Sequence, residues 1–135
     1  MNGVGDFIAV SALALKVYRA YKDAPDEYKH ISDEVKSLHG LIEGVQCLEM
    51  AALSCSQQQN GKEILQCCHC VLEDLEAFIE KYKSLNKFTR VKLSLKDMTA
   101  LRTKLISNTM FLHVFIQRFV SPMIIPMLRN DYTPS

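Results

Sequence analysis

The sequence lacks any stretch approaching the ~20 consecutive apolar residues of a spanning helix, so it predicts no stable transmembrane segment. It also lacks the basic start of an export signal: before the uncharged run that opens at Phe7 stands Asp6, with no Lys or Arg. Ala12-Leu13-Ala14 resembles a cleavage site, yet only about five apolar residues precede it, and no cleaved leader is expected. Position 2 is Asn, not the glycine that N-myristoylation uses. Charge of one sign is missing too. The 16 basic and 15 acidic residues are well mixed and leave a net charge of +1, so no nucleic-acid partner is expected.

Cysteine is present but lacks the pattern of a framework. The five cysteines are Cys47, Cys55, Cys67, Cys68 and Cys70, an odd number, and without an export signal they read as thiols of a cytoplasmic protein. Cys67-Cys68-His69-Cys70 has no second C-x-x-C to complete a zinc site. It lies in a helical pattern where only Cys67 and Cys70 can share a face, and Cys68 reads as a small core residue. The four histidines lack the repeated Glu-x-x-His of carboxylate-bridged metal bundles. Gly61-Lys62-Glu63 has neither the earlier glycine nor the following Ser or Thr of a phosphate loop. No catalytic residue, cofactor or metal ligand is assigned, and the chain reads as a non-enzyme.

What is there is helical period. At 135 residues, 48% hydrophobic and 23% charged, the chain suits one globular domain. Such a domain buries roughly two-thirds of its unfolded surface. A first helix is predicted from an Asp6 N-cap to about Asp23, with Phe7, Val10, Ala14, Val17 and Tyr21 as its stripe. Ile8, Leu13 and Leu15 widen that stripe almost all round. Pro25 separates it from a second helix, about 25–54, striped by Tyr28, Ile31, Val35, Leu38, Ile42, Val45 and Leu48 or Glu49. The polar stretch SCSQQQNGK, residues 54–62, contains Asn60-Gly61 and reads as a turn.

A third helix is predicted over about 62–84, with Ile64, Cys68, Val71, Leu75, Phe78 and Tyr82 inward and Leu65, Leu72 and Ile79 beside them. Residues 85–93 read as a basic link. Ser94 and Asp97 make a capping pair for a fourth helix reaching about Val120, striped by Leu95, Met98, Leu101, Leu105, Leu112, Ile116 and Phe119. Asn108-Thr109 marks a local bend. The expected architecture is all-α: an up-and-down bundle of about four amphipathic helices over residues 1–121. A Pro-containing irregular tail follows over 122–135, with Met123, Ile124, Ile125, Met127 and Leu128 as a candidate interaction patch. Arg90, Lys92 and Lys96, with Arg102 and Lys104 beyond them, form the densest basic stretch. The first three are candidate contacts for anionic lipid or an acidic partner.

Three blocks carry a resemblance. GVGDFIAVSALALKVYRAYKDAPDEYKHISDEVKSLHGLI (3–42), VLEDLEAFIEKYKSL (71–85) and RVKLSLKDMTALRTKLISNTMFLHVFIQRF (90–119) resemble, in this order, fungal N-terminal domains of STAND-type NTPases and ankyrin-repeat proteins. The motifs are Gly5-Asp6-Phe7, Lys22-Asp23-Ala24-Pro25 and Leu105-Ile106-Ser107-Asn108-Thr109. Such domains are similar to the HeLo and HeLo-like group of helical cell-death domains. The resemblance implies a signalling bundle whose first helix, Gly5 to Lys16, enters a membrane on activation, with Phe7, Ile8, Val10, Leu13 and Leu15 as its apolar contacts. Two readings stay open. One is an adaptor or oligomerisation module, with a protein partner or self-association. The other is a membrane-targeting execution domain, recruited from the cytoplasm to an anionic membrane.

Overall fold

The computed structural model describes residues 3–46, 53–85, 90 and 95–120. Four α-helices carry nearly all of them: α1 Gly3–Lys22, α2 Asp26–Gln46, α3 Cys55–Ser84 and α4 Leu95–Phe115. A π-helical turn, Ile116–Val120, continues α4. Among the described residues no strand forms. The chain is an all-α, up-and-down bundle.

The buried residues follow the 3-4 spacing of each helix. Phe7, Val10, Ala14, Val17 and Tyr21 of α1 are all buried, as are Tyr28, Ile31, Val35, Leu38, Ile42 and Val45 of α2. They share one core with Leu65, Cys68, Leu72, Leu75 and Ile79 of α3 and with Met98, Leu105 and Leu112 of α4. Each large side chain taken out of water here stabilises the fold by about 1.5–3 kcal/mol before the entropy of ordering it is subtracted.

Helix α1 packs on α2 and α3, and α4 packs on α3 and α2, which puts α2 and α3 at opposite corners. The end of α1, the start of α2 and the end of α3 meet at one pole. There Tyr21 Oη donates to the Leu75 carbonyl at 2.7 Å, and the Tyr28 ring stands edge-on to Phe78 and Tyr82 at 5.7 and 5.2 Å between centroids. At the other pole Leu53, just before α3, and Phe115, at the end of α4, form a small cluster with Ile64 and Ile116. Helix directions therefore alternate, with α1 parallel to its neighbour α3 and α2 parallel to its neighbour α4.

Four sequence expectations change. Helix α1 begins at Gly3, so Asp6 lies within it and is not its N-cap; nothing in Gly3-Val4-Gly5 stops a helix. Leu53 and Ser54 are not helical, so the second helix does not reach 54; residues 47–52, with Leu48 and Glu49, lie outside the described residues. Residues 55–62 are helix, not turn, because Ser54 forms a capping box. Its Oγ accepts from Gln57 N at 3.1 Å, while Gln57 Oε1 accepts from Ser54 N at 2.9 Å. Helix α3 then runs straight through Asn60-Gly61, and Gly61 is buried.

The fourth change is at the end of α4, where α geometry gives way to the π turn from Ile116 and Phe115 joins the buried residues. Thr109 Oγ1 bonds back to the Leu105 carbonyl at 2.7 Å within a continuous helix. Ser94 and the tail, 121–135, lie outside the described residues.

Candidate docking groove

Where α2 and α4 lie side by side, their outer faces line a groove. The lining comes from Glu34, Ser37, Gly40 and Leu41 on α2 and from Ile106, Thr109, Met110 and His113 on α4, around a volume of about 620 Å³. Gly40 lies on the exposed rim of the α2 wall, and Gly44 lies one turn further along α2. A Cβ at either position would meet nothing within 4 Å, so neither glycine is required by close packing inside the bundle. Glycine inside a helix costs about 1 kcal/mol relative to alanine, and here the fold shows nothing in return.

At one end of the groove Glu34 is engaged in an ion pair. Arg102 donates from Nε and Nη2 to Glu34 Oε1, at 2.8 and 2.7 Å, tying α4 to α2. That bond, more than the charge attraction alone, raises the guanidinium pKa further. Glu34 Oε2 is buried and has no hydrogen-bond partner among the described residues.

The α4 wall continues outward as an apolar ridge. Ile106 is 42% exposed, Met110 58%, Phe111 57% and Val114 43%. Ile106, Met110 and Val114 follow one another at four-residue steps, so they stand on one line of the helix, with Phe111 beside it. A helix apolar on both its core and its solvent face is normally covered on both. Together these side chains present on the order of a few hundred Å² of apolar surface, the size of the largest patch on a typical monomer, which is often functional. Sequence reading assigned α4 a single stripe and missed this second one, together with Gly40 and Gly44.

The residues predicted as sites do not gather. On α1, Phe7 and Val10 are buried, Leu13 and Leu15 half-buried and Ile8 53% exposed. Arg90 is used inside the fold: it donates from Nε to the Tyr82 carbonyl at 2.9 Å and from Nη2 to the Lys83 carbonyl at 3.2 Å, with its guanidinium 4.7 Å from the centre of the Tyr82 ring. It thereby satisfies carbonyls that the end of α3 leaves open. Lys92 and the cluster Met123, Ile124, Ile125, Met127 and Leu128 lie outside the described residues, as does the side chain of Lys96. Cys68 is buried, whereas Cys67 and Cys70 are exposed on the flanks of α3.

No helix among the described residues is long and apolar enough to cross a membrane. Comparison with known proteins finds no matching family model, no matching curated protein and no matching solved structure.

Proposed function

We propose that this chain is a non-enzymatic helical interaction module, an adaptor of the signalling kind, which docks a partner helix in the α2–α4 groove. The observation that carries this reading is the exposed ridge Ile106-Met110-Val114 beside a groove whose α2 wall lacks a side chain at Gly40. A helix-in-groove interface needs an apolar channel about one side-chain layer deep with anchors at three- and four-residue spacing. The resemblance to fungal STAND N-terminal domains supports a signalling role of this type.

The test is fluorescence anisotropy of a labelled, neutral amphipathic peptide, with leucines at helical spacing and Gln and Ser elsewhere, titrated with the full chain. Saturable binding is expected for the parent and not for Gly40→Phe, whose new ring is added to the groove's α2 wall without touching the core. Failure of the parent to bind, or equal binding by a folded Gly40→Phe variant, removes this reading.

A second reading has its own observation. Between Asp6 and Lys16 α1 carries no charge, and Ile8, Ala9 and Ala12 are exposed on it. An α1 that leaves the bundle for a bilayer would use this surface first. Leakage of dye from anionic liposomes by the parent, abolished by Ile8→Lys with circular dichroism unchanged, is the result this reading requires.

A further inference from the structure

We infer that the chain's own segment Met123–Leu128 covers the α2–α4 groove in the resting protein, so that a partner binds by displacing it; this rests on the docking role proposed above and adds its regulation. The first observation is where apolar surface stays open. Among the described residues the exposed large apolar side chains are Ile8 on α1 and Ile106, Met110, Phe111 and Val114, all on α4. Ile106 and Met110 also line the groove, facing Leu41 of α2. The last helix of the bundle is thus the one whose outer face lacks a cover.

The second observation is what the chain carries next. From Ser121 to Leu128 no residue is charged, and Met123, Ile124, Ile125, Met127 and Leu128 are large and apolar. Pro122 and Pro126 remove backbone donors and disfavour helical geometry in the residues before them, so the segment suits an extended path. On such a path Met123, Ile125 and Met127 point to one side and Ile124 and Leu128 to the other. A segment apolar on both sides matches a channel with two walls.

The lengths agree. Val120 ends the π turn that continues α4. Measured back along the helix from there at about 1.5 Å per residue, Val114 lies ~9 Å away, Met110 ~15 Å and Ile106 ~21 Å. Residues 121–128 span up to about 26 Å when extended, enough to turn back at Ser121-Pro122 and run past Met110. The short connection keeps the entropy of closure small and holds the segment near the groove at an effective concentration on the order of millimolar. A second copy of the chain meets the same face only at its bulk concentration, so the tether favours the tail.

The experiment compares the full chain with Ile124→Asp combined with Ile125→Asp. Two quantities are read: affinity for the neutral leucine peptide by anisotropy, and the rate at which hydroxyl radicals oxidise Met110, by mass spectrometry. The variant is expected to bind the peptide at least about tenfold more tightly, which corresponds to a groove covered about 90% of the time in the parent. Met110 is expected to oxidise several-fold faster in the variant, with circular dichroism unchanged. Ile124→Ser with Ile125→Ser acts in the same direction, because what is lost is burial and not neutrality.

Unchanged affinity and unchanged Met110 oxidation in the variant, with parent binding that Gly40→Phe blocks, overturn the tail and leave the docking role standing. The reverse result is equally distinct: no peptide binding by parent or variant, with Met110 protected only in the parent, supports the tail as occupant and removes the docking role. Protection of Met110 that disappears on dilution together with a dimer gives the face to a second copy. Protection that requires phosphatidylserine vesicles gives it to a membrane. Either of the last two overturns the inference.

Discussion

At the scale of single residues, the bundle separates side chains that hold it together from those it leaves available. Tyr21 is a core residue with a polar tip, and its hydroxyl bonds the Leu75 carbonyl in the interior. Gly40 is the opposite case, because the fold provides space above it and no neighbour within 4 Å. Gly40→Ala is therefore expected to stabilise the chain by about 0.5–1 kcal/mol, through the backbone entropy that glycine loses in a helix. Urea denaturation followed by circular dichroism checks this, and a loss of stability would mean that the position is more crowded than the geometry allows. Cysteine reading was legible at this scale: the ~100° step between successive helix residues puts Cys68 inward, away from Cys67 and Cys70.

At the scale of elements, helix existence was legible and helix limits were less so. Period alone identifies α1 to α4, because each buries one stripe against the shared core. The start of α3 shows two local signals in competition. Ser54 with Gln57 has the spacing of a capping box, while Asn60-Gly61 has the composition of a turn. The cap prevails because it satisfies two backbone groups at once and lets a 30-residue helix run unbroken. Ser54→Ala is accordingly expected to destabilise the chain by about 1 kcal/mol and to speed amide exchange over residues 55–58, while exchange in the middle of α3 stays slow. A uniform change in exchange along α3 would contradict a local cap. On α4 the difficulty is different. Leu105 and Ile106, then Met110, Phe111 and Leu112, place apolar side chains all round the helix, so spacing cannot tell the covered line from the exposed one.

At the scale of the whole molecule, stripes specify that four helices share a core but not which corner each occupies. That α2 and α4 lie side by side and parallel, and so create a groove, depends on three-dimensional packing that no single helix encodes. The same shared core makes stability depend on alkaline pH. Burial, with a smaller contribution from Cys67, pushes the Cys68 thiol from 9.0 up to about 12, and burial likewise raises the Tyr21 phenol above its usual 10.0. Both groups are neutral when protonated, and the fold keeps that form. Below pH 9 folded and unfolded chains carry the same protons at these sites, so their contribution to stability is complete. Above it the unfolded chain releases protons first, which favours unfolding by up to about 1.4 kcal/mol per pH unit for each group. Lys16, raised mainly by its hydrogen bond to Glu76, acts in the same direction when it loses its charge at higher pH. The urea midpoint is thus expected to fall steadily from pH 8 to pH 10.5. In Cys68→Ala the midpoint starts lower, because the side chain leaves a small void, but falls less steeply, because one of the titrating groups is gone. Parallel pH profiles for parent and variant would show that the Cys68 thiol ionises as readily in the bundle as in the unfolded chain, and would remove it from the sealed core.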